Sequence, residues 1–281
     1  MLRPFFAEGI GLHTGEPARV AVEPVPPGPG LVFETGAGPI PGSPDAIAGD
    51  AERRTDLAAG LARVRTVEHL LAALWWFGLT DARIRVDGPE IPALDGGAAG
   101  WCALLEKAGA VPAPRLVPLA APLDVSGEPG SRALLVPVDS PESVSVRVEL
   151  RYGDPAIGEQ EFSFAPGRDD FTKAVAPART FALLGEVEAL LARGLARGGG
   201  LHNALVIGPE GPVNPEGARF EGEPARHKLL DALGDLSLLG GLPRARIDLI
   251  RPGHRLLHAV VRAATKLAPG PGNPASRVPG C

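Results

Sequence analysis

Val111-Pro112-Ala113-Pro114-Arg115 divides the chain. Two prolines in five residues read as a joint, and the same kinds of element occur on both sides of it. On the N-terminal side, residues 18–25 (ARVAVEPV) alternate apolar and polar, as a half-buried strand does. A Pro/Gly cluster follows, then a short strand near residues 31–33. Residues 45–60 are small and mixed, which predicts a loop or insert. Residues 66–77 (TVEHLLAALWWF) predict a helix with Thr66 as its N-cap and Gly78 as its stop. Residues 82–87 (ARIRVD) alternate again, and residues 98–108 predict a second helix. Beyond the joint, strands are predicted near residues 133–138, 143–151, 160–164, 204–207 and 245–250. Helices are predicted over residues 181–193, 224–239 and 255–267. The Pro/Gly-rich residues 269–281 predict a flexible, frayed tail. Strands and helices come in mixed blocks rather than in strict alternation, which favours an α+β fold over a doubly wound parallel sheet. Each half offers strands and about two amphipathic helices, so two similar domains are expected, residues 1–113 and 114–268, although no repeat is visible in the sequence itself.

Composition narrows the function classes. The chain has 281 residues, enough for a sizeable core. Its formal net charge is -5 and it has no run of Lys and Arg, which argues against nucleic acid as a partner. Its two cysteines, Cys102 and Cys281, belong to no CxxC or Cys/His pair. That disfavours a disulfide framework and fits a reducing compartment. No stretch approaches the roughly 18 apolar residues that span a bilayer. The opening MLRPFFAE is too short and too soon acidic for a signal peptide, so a cytoplasmic location is expected.

Three histidine settings carry chemistry. Glu68-His69 lies in the helix expected from Thr66, and a carboxylate beside a metal-binding imidazole is a sensible general base. On its own the pair also reads as a solvated Glu and a half-buried His. In RHKLLDALGD (residues 226–235), His227 and Asp231 are four apart and share a helix face, close enough to bind one metal ion. Asp235, one turn further, can hydrogen-bond a second histidine. Alone, this spacing also fits an ordinary surface pair. His254, in Pro252-Gly253-His254, follows a strand on a flexible loop, a common catalytic placement and equally a common turn. Thr180 reads as a helix N-cap, and His13 in its Gly-punctuated turn as structural. No phosphate-binding Gly loop and no nucleophile elbow is present.

Taken together, eight stretches resemble the UDP-3-O-acyl-N-acetylglucosamine deacetylases, which catalyse the committed step of lipid A synthesis. They are GIGLHTG (9–15), RTDL (54–57), TVEHLLAAL (66–74), EIPALDGG (90–97), ARTF (178–181), GLARGGGLHNALV (194–206), NPEGARFEGEPARHKLLDALGDL (214–236) and PGH (252–254), in the family's order and across nearly the whole chain. The resemblance implies a zinc hydrolase. His69, His227 and Asp231 match its zinc ligands and Glu68 its general base. His254 matches the imidazolium that stabilises the oxyanion and protonates the departing amine, with Asp235 orienting it. Thr180 matches a second oxyanion donor, and Lys228 a lysine that meets the substrate diphosphate. Phe181 matches an aromatic near the sugar, and Tyr152 an aromatic stacked on uracil.

The resemblance also implies two α+β domains with the active site between them, each with an insert. The second insert, around residues 190–206, would form the acyl-chain passage, with Leu195, Leu201, Ala204 and Val206 as its wall. A lipid-tailed substrate implies transient contact with a membrane surface, and a monomer is expected. Three departures stand out: a short N-terminal strand before Gly9, Gly97 in place of the family's usual Ser, and His202 in place of a commonly charged residue. The competing readings are a zinc amidase for another N-acyl sugar or a peptide, and a nucleotide-sugar-binding protein without catalysis.

Overall fold

The structure, a computed structural model, describes residues 2–49 and 53–267. The expected tail at residues 269–281 lies outside the described residues. The fold is α+β, with two five-stranded sheets built on one plan. In the first sheet, Phe5–Ile10, Pro17–Pro24, Ala82–Asp87, Leu31–Thr35 and Gly38–Pro41 lie side by side in that order. The only parallel pairing there joins Leu31–Thr35 to Ala82–Asp87. In the second sheet the order is Leu123–Ser126, Arg132–Pro137, Ala245–Ile250, Ser145–Arg151 and Glu159–Phe164. Again the only parallel pairing joins the third strand in sequence, Ser145–Arg151, to the last, Ala245–Ile250. Each sheet is thus four strands, a crossover through an insert and a helix, and a fifth strand that enters the centre. The repeat absent from the sequence is present in the topology.

The helices repeat as well. In the first half α1 (Glu68–Trp76) precedes the central strand and α2 (Ala99–Ala108) follows it. In the second half the crossover carries α3 (Phe171–Ala174), α4 (Val187–Ala192) and α5 (Glu223–Ser237), and α6 (His254–Leu267) follows the central strand. The first insert, expected as a loop or insert over residues 45–60, ends in a hairpin of Leu57–Ala59 and Ala62–Val64. The second is a three-stranded sheet of Thr180–Leu183, Ala204–Gly208 and Gly211–Pro212. Residues 181–193, expected as one helix, divide here. Thr180–Leu183 pairs in parallel with Ala204–Gly208, and only Val187–Ala192 is α-helical. Apolar periodicity over so short a run does not separate a strand from a helix, and the cross-strand partner decides it. The short first strand is fully used, since all six residues of Phe5–Ile10 pair with Pro17–Pro24.

α1 and α5 pack against each other in the middle of the molecule. All nine residues of α1 are buried, Glu68 and His69 included. Its leucines, each contributing roughly 1.5–3 kcal/mol when fully buried, offset the several kcal/mol per ion that burying charge costs. The close approach of the two helices depends on Gly234. A Cβ at that position would collide with the main-chain carbonyl of Glu68. Gly234→Ala is therefore expected to destabilise the fold by about 1–3 kcal/mol through overpacking, and to push α1 away from α5. Chemical denaturation and metal content check both; an unchanged midpoint with unchanged metal content would contradict the tight crossing.

Candidate metal centre and catalytic cleft

The start of α1 is held by a carboxylate rather than by a cap. Thr66 has φ +56 and its hydroxyl donates to Glu90 Oε1 at 2.6 Å. The N-cap position is Val67, which has no capping side chain, so Thr66 is not the N-cap its sequence position suggests. Glu90 is fully buried and also accepts from the main-chain N–H groups of His13 (3.0 Å) and Thr14 (2.7 Å) and from the Thr14 hydroxyl (2.8 Å). One buried carboxylate thereby ties the loop of residues 9–15 to the first turn of α1. Glu68 and His69 stand in that turn, facing α5.

His69, His227 and Asp231 offer ligand atoms that lie within 4.8 Å of one another, all buried. His69 Nε2 and His227 Nε2 are each 3.4 Å from Asp231 Oδ1. His227 Nδ1 donates to the Ala178 carbonyl at 3.0 Å, which leaves its Nε2 lone pair facing the group. Burial pushes the His227 pKa down to about 4, so this imidazole is neutral, as a ligand must be. Burial opposes ionisation of Asp231, but the facing imidazoles and the Lys228 ammonium hold its carboxyl well below the usual carboxylate range. Lys228 Nζ donates to Asp231 Oδ2 at 2.7 Å. Asp231 Oδ1, in contrast, is buried and has no hydrogen-bond partner. An ionised oxygen left unpaired among imidazole nitrogens is costly. A divalent cation held by two imidazoles and one carboxylate removes that cost, and this donor set with an open fourth position is an ordinary one for zinc. Two other groups of potential ligands occur among the described residues, Asp235–His254–His258 and Glu68–Asp231–His254. The atoms of Asp235, His254 and His258 are already hydrogen-bonded to one another or to Thr55.

Glu68 and His254 sit beside this group. His254 Nε2 lies 3.7 Å from Glu68 Oε1 and 3.7 Å from Asp231 Oδ2. Its Nδ1 donates to Asp235 Oδ2 at 2.8 Å. Burial works against a charged His254, but the Asp235 carboxylate, with Glu68 and Asp231 behind it, raises the pKa to about 9. Burial pushes Glu68 up to about 7, and the nearby His254 and His69 restrain the rise. A carboxylate able to accept a proton thus faces an imidazolium able to give one, the separation of roles expected of an acid–base pair. His254 is the first residue of α6 rather than part of a free loop, so its backbone is fixed by the helix.

The comparisons with known proteins fit this centre. Residues 1–266 match the family of UDP-3-O-acyl N-acetylglycosamine deacetylases. The chain belongs to this family. A protein from Phenylobacterium zucineum named UDP-3-O-acyl-N-acetylglucosamine deacetylase is 41% identical over 271 residues, 92% of this chain and 90% of its own. Relatives of the same name from Syntrophotalea carbinolica (38% over 263 residues, 92% of this chain and 84% of its own) and from a Nostoc species (40% over 261 residues, 88% and 91%) agree.

A cleft of about 980 Å³ opens onto the centre, and Tyr152, Thr180, Phe181, Lys228 and His254 line it. Thr180 lies in a strand and is not a helix cap; its N–H donates to the Gly96 carbonyl at 2.8 Å. Phe181 and Tyr152 meet edge to face with ring centroids 6.0 Å apart, and Lys228 Nζ stands 5.7 Å from the Phe181 ring centroid. The segment before Thr180 is pinned by Arg179, fully buried, whose Nε donates to the equally buried Glu223 at 2.9 Å. Of the expected acyl-passage residues, Ala204 lines the cleft but Leu195, Leu201 and Val206 do not. Leu195 is buried and Leu201 exposed. Leu12, Leu150, Ile157, Leu183, Leu190 and Leu256 are among the cleft's apolar lining.

Several residues of the site carry little signal in the sequence. His13, read as structural, lines the cleft, and burial pushes its pKa down to about 4. Thr55 and His258 belong to the buried network around Asp235 but lie in no motif that names a role. The Gly97 departure has a steric meaning: a Cβ there would press on the carbonyls of Ala176 and Ala178, the second of which orients His227. His202 is exposed and is not part of the cleft lining. Binding of a divalent cation is expected to raise the melting temperature of chelator-stripped protein. At about 100 times Kd the gain is about 2.7 kcal/mol. His227→Ala should abolish it, and a gain that survives this change would place the cation elsewhere.

Proposed function

We propose that the chain hydrolyses the N-acetyl group of UDP-3-O-(3-hydroxyacyl)-N-acetylglucosamine, giving the free amine and acetate, with Zn2+ as its metal. Family membership supports the reaction. The observation that carries the assignment to these residues is the unpaired, buried Asp231 Oδ1 between two imidazole nitrogens, with the Glu68–His254 pair alongside. His69, His227 and Asp231 would hold the ion. When bound, it supplies Lewis-acid polarisation of the acyl carbonyl and makes water more acidic.

Water adds to the acetyl carbonyl carbon, the C–N bond breaks, and the amine leaves with a proton. Glu68 takes the proton from the attacking water. His254, as the imidazolium, gives one to the departing nitrogen and stabilises negative charge on the former carbonyl oxygen. Thr180, on the cleft wall, offers a hydroxyl to the same oxygen. Asp235 keeps His254 charged and oriented. Lys228 has three N–H donors, so it can keep its bond to Asp231 and still meet a substrate phosphate. Phe181 contacts the sugar and Tyr152 the uracil, while the acyl chain runs along Leu183 and Leu190. We assign residues 1–113 and 114–268 to two domains that each supply part of the centre. No helix among the described residues is long and apolar enough to cross a membrane. The proposed setting is the cytoplasm, as a monomer that touches a membrane surface transiently to reach its lipid-tailed substrate.

Acetate release from UDP-3-O-(3-hydroxyacyl)-N-acetylglucosamine should stop with a chelator and return with Zn2+. No release from folded, zinc-loaded protein would move the substrate to another N-acyl sugar. Asp235→Asn should lower kcat by about 10²–10⁴-fold, the range for loss of general acid–base catalysis, with zinc content unchanged; equal loss of both would contradict the role. The pH profile of kcat/KM should be bell-shaped. The acid limb reflects ionisation of Glu68, with a pKa of about 7 that a bound cation lowers further. The alkaline limb follows loss of the His254 proton near 9. Activity still rising beyond that value would exclude His254 as the acid.

A further inference from the structure

Thr55 touches both arms of the acid–base pair. Its main-chain N–H donates to Glu68 Oε2 at 3.1 Å. Its hydroxyl oxygen lies 2.5 Å from Asp235 Oδ1, 2.7 Å from His258 Nε2 and 3.1 Å from His254 Nδ1. The residue is fully buried and its backbone is fixed. Its carbonyl accepts from Val67 N–H at 3.1 Å, just before α1 begins. The next residue, Asp56, is buried and paired with Arg54 and with Arg63, each at 2.8 Å.

Counting protons gives the network a direction. A hydroxyl has one proton to donate and can accept others. The Asp235 carboxylate only accepts, so the Thr55 hydroxyl proton goes to its Oδ1. His254 Nδ1–H goes to Asp235 Oδ2, the shorter of its two contacts. His258 Nε2 therefore has to donate to Thr55, because a lone pair there would compete for the one hydroxyl proton. The chain runs His258 to Thr55 to Asp235, with His254 arriving at the other carboxylate oxygen. Both oxygens of Asp235 are then engaged and the carboxylate has no free rotation. His254 Nε2 is in turn aimed at Glu68.

We propose that Thr55 is a positioning residue that sets general base and general acid together, Glu68 through its main-chain N–H and His254 through its hydroxyl and Asp235. His258 completes the device as a neutral donor in the Nε2–H form. The proposal rests on the hydrolytic reading above for its kinetic consequence, but the hydrogen-bond chain exists independently of the substrate.

Thr55→Val removes the hydroxyl while keeping the branched shape and the N–H. It should lower kcat by roughly tenfold or more with KM and bound metal unchanged, the signature of an interaction needed in the transition state. Thr55→Ser, which restores the hydroxyl, should recover most of the loss. Because Thr55 acts through Asp235, Thr55→Val combined with Asp235→Asn should be no slower than Asp235→Asn alone. NMR of protein labelled with 15N-histidine reads the chain without turnover. His258 should be a single Nε2–H tautomer in the native protein and lose that preference in Thr55→Val. Native kcat in Thr55→Val, or losses that multiply in the double variant, would overturn the proposal, and so would a His258 tautomer indifferent to the hydroxyl. A native protein inactive on the substrate, but with His258 fixed by Thr55, would overturn the deacetylase reading and leave the hydrogen-bond chain supported.

Discussion

The contact between Gly234 of α5 and the Glu68 carbonyl of α1 is the constraint on which the rest of the site depends. It brings two helices from topologically equivalent places in the two halves to a crossing too close for any side chain. Glu68 and His69 lie in the first turn of one helix. On the other, Asp231 and Asp235 flank the crossing point and His227 lies about two turns before it. A cation centre shared by the two halves requires this crossing, because neither helix alone carries the three ligands.

Burying so much charge at one crossing is tolerable only because nearly every polar atom is answered. Glu90, Glu223 and Asp235 are each fully buried and each accepts several hydrogen bonds. Each also has a geometric task. Glu90 sets the entry to α1, Glu223 holds Arg179 and thus the Ala178 carbonyl that orients His227, and Asp235 holds His254. Against this background the unpaired Asp231 Oδ1 is informative. Among the described residues it is the one buried carboxylate oxygen without a hydrogen-bond partner, which is the ground for proposing a cation there.

Much of this was legible in the sequence, for physical reasons that differ by element. Residues 82–87 alternate because the strand buries one face, and both 82–87 and 245–250 are strands with the expected bounds. The spacing of His227 and Asp231 reported a shared helix face because helical geometry is local. What stayed hidden depended on distant partners. Thr66 looks like a cap until Glu90 claims its hydroxyl. Residues 180–183 look helical until residues 204–208 pair with them. Which apolar residues of 190–206 reach the cleft depends on tertiary packing: Leu190 and Ala204 line it, and Leu195, Leu201 and Val206 do not. The repeat of topology is invisible in sequence because sheet order records only which apolar faces meet.

The central claim is that the two helices build one cation centre from His69, His227 and Asp231. The most direct test is a crystal structure of the zinc-loaded protein with anomalous diffraction at the zinc edge. The account predicts a single strong anomalous peak between His69 Nε2, His227 Nε2 and Asp231 Oδ1. A peak at Asp235, His254 and His258 instead, with His69 and His227 left unliganded, would contradict it.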